Sequence, residues 1–392
     1  MTRAQINAFI NRLPVHLILI GLCLIWLVPT IGLLVTSIRP FQSVNTTGWW
    51  TALSAPPGAQ EYNQYCASCH GLDGNDIAEA DLTNVELVEQ YPRSLQLLAM
   101  LRRDDSPHPD IELPEPQAAA AITTQMRRFA GLEEAPSNFT ANNYTDALVG
   151  YRGTSTYSEE CASGTPPSGY SCTFSDILNP RGMGRAFVNS LIVTLPATFL
   201  PIIFAAFAAY AFSWLDFKGR QLLFAILVGL QVVPLQMTLV PISRFYAELG
   251  LNGTFLGVWL FHTGFGMPYS IYLMRNFIGA LPRDLFESAY LDGANHWTAF
   301  RRLALPLSLP ALASLGIFQF LWVWNDLLVA LVFLGGRNPV LTYQISNMVT
   351  SLGGGWQLLT AAAFISMALP MIVFFGLQRY FVRGLLAGSV KG

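Results

Sequence analysis

The chain has 392 residues, of which 52% are hydrophobic and 12% charged, with a net charge of −2. A soluble domain carries about twice that charged fraction, so an ordinary water-soluble protein is excluded, and several apolar runs of about 20 residues mark a polytopic membrane protein. The near-zero net charge hides a division: Glu61 to Glu134 holds 14 acids against 5 arginines, whereas the remainder holds 10 acids against 17 basic residues. That pattern reads as one soluble acidic segment set among membrane-flanking cations, with nothing pointing to nucleic acid.

The first apolar run, Leu17–Ser37, follows Arg3 and Arg12 and has no small-x-small cleavage site before Arg39-Pro40. It is expected to be a retained anchor, and residues 1–40 form the amino terminus with the first membrane helix. Residues 49–58 (WWTALSAPPG) suit the exit of a chain through the aromatic interfacial belt.

Residues 59–134 alternate helix-like patches with Asp/Pro loops and contain Cys66-Ala67-Ser68-Cys69-His70. Cys-x-x-Cys-His is the spelling of a c-type haem site, because two thiols one helical turn apart add across the haem vinyl groups while the adjacent imidazole reaches the iron. Zinc would need a further ligand pair at close spacing. A thioredoxin-like dithiol would need a βαβ context, and a structural disulfide is the third competing reading. The segment resembles a small class I cytochrome c domain, with QEYNQYCASCHG as its first helix and PQAAAAITTQMRRFAGL as its closing helix. The resemblance implies covalent haem c on Cys66 and Cys69, iron bound by His70, and a sixth ligand shortly before the closing helix. There the family usually has Met-Pro and this chain has His108-Pro109, so His108 is the expected sixth ligand, with Met100 and Met126 as alternatives. Residues 135–185, rich in Ser, Thr, Asn, Gly and Tyr, read as an ordered outer loop in which Cys161 and Cys172 are expected to form a disulfide.

Five further spans are expected at Phe187–Leu215, Leu222–Ile242, Phe255–Met274, Ser308–Leu334 and Leu358–Val382, within a membrane domain of residues 186–392. Arginine and lysine concentrate in the loops that both termini would share, which places the termini in the cytoplasm and residues 59–134 in the periplasm. Pro234, Pro241, Pro268 and Pro370 interrupt these runs, as tolerated where neighbours satisfy the freed backbone groups. Asn325 and Asp326 lie in the fifth span. An intramembrane carboxylate faces either a polar translocation path or the water at the outer end.

The longest inner connection, residues 283–306, reads as a helix-turn-helix. Asp284 and Glu287 resemble a capping box, Gly293 breaks the first helix, Asn295 caps the second and Pro306 stops it. Phe286, Ala289 and Tyr290 share a face that a partner could use. Glu287-Ser288-Ala289, Gly293 and Leu303-x-Leu305-Pro306 resemble the EAA loop of binding-protein-dependent ABC importer permeases, with Ser288 in place of the usual alanine. Asp292-Gly293-Ala294, Asn189-Ser190, WNDLLVALVF and the tail RYFVRGLLAGSVKG resemble the maltose and alpha-glucoside branch of that family.

The resemblance implies an all-α, six-helix membrane permease with an inserted cytochrome c-like domain. It implies a bacterial inner-membrane subunit of a carbohydrate importer, with Glu287, Ala289, Asp292, Gly293 and Ala294 coupling it to a separate ATPase. It further implies a second permease, a periplasmic sugar-binding protein, contact with membrane lipid and a redox partner for the haem. Only two lysines occur, Lys218 and Lys391, and no GxxxxGK[ST], so the chain is no ATPase and is expected not to be an enzyme. The opposing reading is a membrane-anchored c-type cytochrome built on a permease-like scaffold.

Overall fold

The computed structural model describes residues 3–46, 48–52, 58–91, 94–102, 116–132, 139–153, 155–348 and 355–387. All regular structure among them is helical. The chain divides into two units, Met1–Ala141 and Asn142–Gly392, so the boundary falls within the segment read as an outer loop.

In the first unit the apolar run belongs to a longer helix, Arg3–Ser37, that includes Pro14 and Pro29. Its stretch Leu13–Ser37 is long and apolar enough to cross a bilayer. Gly32 lets the Trp49 indole lie flat on this helix, since a Cβ there would sit 2.8 Å from Nε1. Beyond that helix, Ala59–Tyr65 and Ser94–Leu101 pack against Pro116–Phe129. Close approach is possible because Gly58 has φ +99° and its missing Cβ would lie 2.5 Å from the Ala121 carbonyl oxygen. The core gathers Tyr62, Leu82, Val88, Leu97, Ile122, Met126 and Ala130, and Tyr62 meets Phe129 edge to face at 4.9 Å.

In the second unit, Met183–Trp214 and Trp356–Arg379 each satisfy the length and apolarity of a span. Arg220–Val232 with Leu235–Glu248 is bent by 100°, and His296–Leu307 with Leu309–Trp324 by 69°. Counting each bent pair once gives up to five spans among the described residues, against the six expected. The difference is Phe255–Ile278: its 24 residues reach about 36 Å, but His262, Thr263, Ser270 and its glycines make it less apolar. These polar groups are buried inside the unit, so the helix needs less lipid-facing apolar surface. The interruption expected by proline within Leu222–Ile242 is a sharp break between two helices. Pro234 stands at the break, where it lacks a backbone donor and starts the second helix.

Small residues bring the spans together. Ala197, Ala205, Ala206 and Ala209 of Met183–Trp214 are buried, where Phe255–Ile278 packs alongside. Side chains also bond across to backbone carbonyls: Trp259 Nε1 donates to Ile192 O at 2.8 Å, Gln319 Nε2 to Ala197 O at 3.2 Å and Trp324 Nε1 to Ser366 O at 3.0 Å. In a hydrocarbon setting such bonds fix register, because the alternative is an unsatisfied polar group.

Candidate functional site

The inner connection folds as Arg283–Leu291, a tight turn, and His296–Ala299 running into a wide turn at Phe300–Ala304. Asp284 is not the cap expected of it; Pro282 occupies that position and Asp284 sits in the first turn, where its charge favours the helix amino terminus. Gly293 has φ +85°, and the turn closes through Gly293 N to Tyr290 O at 3.0 Å and Ala294 N to Ala289 O at 2.9 Å. That left-handed closure is why a glycine stands there. Asn295 caps the second helix by accepting the Thr298 N–H at 2.8 Å.

The two faces of this helix-turn-helix differ. Phe286 is fully buried and stacks on Trp214 at 3.9 Å, Phe300 packs on Phe207 and Tyr210, and the Tyr290 hydroxyl lies 3.1 Å from both Tyr210 Oη and His296 Nδ1. The expectation that Phe286 and Tyr290 face a partner is therefore corrected: they seat the loop on the end of Met183–Trp214. Glu287, Leu291, Asp292 and Gly293 are exposed, Leu291 at 89%, while Ala289 and Ala294 are half-buried. Leu291 and Trp214 escaped the sequence reading. A solvent-facing leucine at a loop tip and an aromatic 72 residues from its stacking partner leave no local signal.

Deeper in the unit, Asp326 stands between Leu309–Trp324 and Leu328–Phe333. Its Oδ2 accepts the Val329 N–H at 3.1 Å and lies 3.5 Å from His262 Nε2. His262 is 1% exposed and its Nδ1 has no hydrogen-bond partner among the described residues. Asp326, His262, Ser190 and Thr194 line one small cavity. Asn325 does not join them; its Nδ2 donates to Leu321 O at 2.8 Å and the residue is exposed. His262 was missed because it lies 64 positions from Asp326 on another helix. Asn189 Nδ2 donates to Pro339 O at 2.8 Å and Ser190 Oγ accepts the Leu341 N–H at 2.9 Å, tying the start of Met183–Trp214 to Leu341–Met348.

In the first unit, Cys66 ends Ala59–Tyr65 and the single turn Ala67–His70 follows. Cys66 and Cys69 are not disulfide-bonded. His70 is buried, and its Nδ1 lies 3.2 Å from the Ala80 carbonyl, which favours the tautomer with its proton on Nδ1 and its lone pair on Nε2. Burial, with the neighbouring Cys69, pushes the Cys66 thiol up to about 11. A redox-active dithiol needs the opposite shift. Cys66, Ala67 and Met100 pack against the same core that buries Met126. Met126 is thus part of the packing of Pro116–Phe129, and His108 lies outside the described residues. No cluster of three or more metal-ligating side chains occurs among the described residues, a test that a haem held by two thioethers and an imidazole does not need to meet.

Residues 283–304 thus form a helix-turn-helix seated on the end of the long apolar helix Met183–Trp214. The sequence pattern of the binding-protein-dependent transport system inner membrane component matches residues 201–386. The chain is 42% identical over 393 residues to the alpha-glucoside transport system permease protein AglG of Rhizobium meliloti, across 96% of this chain and 97% of that one. It therefore belongs to the family of ABC sugar importer permeases, as an alpha-glucoside-like member. It is also 63% identical over 224 residues to the osmoprotective compounds uptake permease protein GgtD of Synechocystis sp., covering 57% of this chain and 75% of that protein. A chain in the crystal structure of a bacterial ABC transporter for the acidic polysaccharide alginate aligns with TM-score 0.42 and 22% identity, over 51% of this chain and 75% of that one. The AglG alignment includes nearly all of residues 41–182, so that relative has a counterpart of similar length to the segment between the first and second spans. The protein is a multi-pass inner-membrane permease subunit and not an enzyme; its family implies an ATPase, a second permease and a sugar-binding protein.

Proposed function

We propose that the chain carries an alpha-glucoside or a related oligosaccharide across the inner membrane by alternating access, both termini lying in the cytoplasm. The observation that supports this most is the near full-length similarity to an alpha-glucoside permease, long connecting segment included. Glu287, Asp292 and Gly293, with Ala289 and Ala294 behind them, form the surface offered to the ATPase. Their exposure beside a loop seated by Phe286 and Tyr290 gives ATPase closure a rigid lever on Met183–Trp214. Gly293→Arg is expected to abolish alpha-glucoside uptake in cells lacking the native gene while membrane levels stay unchanged, because a branched-off side chain is strained at φ +85° and projects from the exposed turn. Normal uptake by that variant would refute the coupling role.

The residues of the first unit fit a covalently held haem. Cys66 and Cys69 would hold it, His70 Nε2 would face the iron with its tautomer set by Ala80, and the Tyr62-centred core would exclude water. Bound there, the group would supply one-electron chemistry on the periplasmic side, with His108, or alternatively Met100, as a further iron ligand and with a redox partner. The full chain produced with a c-type maturation system should give a covalent haem band that Cys66→Ala/Cys69→Ala removes. A His108 ligand predicts a low-spin spectrum that turns high-spin in His108→Ala, and an unchanged spectrum would assign the position elsewhere. The opposing reading, an electron carrier on a permease scaffold, is not favoured, since it leaves the seated coupling loop without a use.

A further inference from the structure

The second unit opens outside its spans with a segment that coupling and translocation do not employ. Asn142–Val149 ends at Gly150, whose φ of +76° lets Tyr151 N reach back to Asp146 O at 2.8 Å. A Cβ on Gly150 would lie 2.4 Å from the Arg181 backbone, and one on Gly182 would lie 2.2 Å from Leu148 O. Two glycines thus let these backbones cross in contact and bring Arg152 and Arg181 to one place. The Cys161–Cys172 disulfide closes the intervening chain. Three tyrosines pack edge to face there: Tyr151–Tyr170 at 5.8 Å, Tyr157–Tyr170 at 5.7 Å and Tyr151–Tyr157 at 6.3 Å.

These elements enclose an open cleft of about 580 Å³, lined by Tyr151, Tyr170, Arg152, Arg181, Ser168 and Gln344 among others. Its size lies within the range of small-molecule sites. Gln344, 7% exposed, contributes to the lining from Leu341–Met348, its Nε2 held by the Pro180 carbonyl at 3.1 Å. Neither arginine forms an ion pair among the described residues, and no carboxylate lines the cleft. Burial pushes the Tyr170 hydroxyl up, Arg181 and Arg152 oppose that while Asp176 and Tyr151 add to it, and the net direction is upward, so both guanidiniums lie within electrostatic reach of it. The nearest acid, Asp176, is engaged internally by the Tyr157 hydroxyl at 2.8 Å and by Ser171 Oγ at 2.9 Å.

We infer that this cleft is an outer-face saccharide site, in which Arg152 and Arg181 donate to the hydroxyls of a neutral alpha-glucoside packed against Tyr151 and Tyr170. A guanidinium presents several N–H donors in a rigid fork, to which sugar hydroxyl oxygens can accept, and a tyrosine ring offers an apolar body for the C–H side of a pyranose. The inference rests on the sugar-importer reading and adds a site to it. Since Gln344 is shared with the helix that Ser190 and Asn189 fasten to the start of Met183–Trp214, a sugar held there lies on the same structural element as the mouth of the membrane core.

The test uses the full chain in lipid nanodiscs, without binding protein, with maltotriose as probe and saturation-transfer NMR as readout. Saturable binding is expected, weakened at least about tenfold in Arg152→Ala/Arg181→Ala, as for loss of central polar anchors. Ser168→Trp, which adds bulk to the cleft and keeps both arginines, is expected to weaken it similarly; both variants are checked for an unchanged melting temperature. Absence of saturable binding, affinity in both variants equal to that of the unaltered chain, or binding confined to oligogalacturonate would overturn the inference. So would variants that bind no less maltotriose but fail to capture a sugar-loaded binding protein, which would make the cleft a protein-docking surface. Uptake in cells separates the two levels: alpha-glucoside uptake with no binding by the purified chain removes the cleft alone, whereas absence of uptake removes the importer reading beneath it.

Discussion

Replacing Phe286 by alanine tests whether the helix-turn-helix is held as the structure describes. The ring is fully buried, stacks on Trp214 at 3.9 Å and belongs to the cluster that includes Tyr210, Met274, Ile278 and Ala299. Burial of this kind is worth about 3–5 kcal/mol on truncation. The remaining polar ties, Tyr290 to Tyr210 and to His296, contribute about 1 kcal/mol each. The aromatic anchor therefore outweighs them, and its loss leaves Arg283–Leu291 opening far more often. Amide hydrogen exchange over Arg283–Leu291 should accelerate by between about a hundredfold and a few thousandfold. Leu291→Ala, on the same helix at 89% exposure, should leave exchange within about twofold. Acceleration of less than about tenfold in Phe286→Ala, or an equal effect in Leu291→Ala, would refute the view that one buried ring seats the loop.

Two further outcomes follow from residues 142–182. Burial pushes the Asp146 carboxyl up to about 6, despite the hydrogen bond it accepts from the Tyr157 N–H. A raised carboxylate pKa means that the folded segment binds the proton more tightly than the unfolded chain. The stabilisation is therefore full below about pH 4, is lost as pH rises through about 6, and is flat above; Asp146→Asn should abolish the dependence in thermal unfolding followed between pH 4 and 8. Reducing the Cys161–Cys172 bridge, which closes a loop of sequence separation 11, should cost about 3 kcal/mol in the chain-entropy account. Limited proteolysis within residues 162–171 should rise accordingly, and unchanged resistance after reduction would contradict it.

What was legible from sequence is local, and what was not is tertiary. Hydropathy marks Leu13–Ser37, Met183–Trp214 and Trp356–Arg379 because lipid contact constrains every face of a span. It marks Phe255–Ile278 less well, because one face of that helix is buried in protein and the polar His262 and Ser270 are tolerated there, while Leu256, Leu260, Tyr269 and Tyr272 are exposed. The turn at Gly293 and the cap at Asn295 were readable, since both are settled within a few residues. The role of Phe286 was not, because an amphipathic face reads the same whether its aromatic ring points to a partner or to Trp214. Asp326 advertised itself as a carboxylate in an apolar run, while the identity of its partner depended on the packing of two distant helices. Gly150 and Gly182 are unremarkable in a segment full of turn residues until the crossing of their backbones is seen.

The position of Asp326 has a mechanical consequence. One residue joins three segments: its carboxylate holds the first turn of Leu328–Phe333 and meets His262 of Phe255–Ile278, while its backbone carbonyl accepts the Thr342 hydroxyl at 2.9 Å from Leu341–Met348. The helix is interrupted at that point, between Trp324 and Leu328, and the Asp326 side chain is one tie across the break. Movement of any of the three segments against the others parts polar bonds at this one residue, at its carboxylate or its carbonyl, along with the apolar packing of Phe261, Val329, Phe333 and Tyr343.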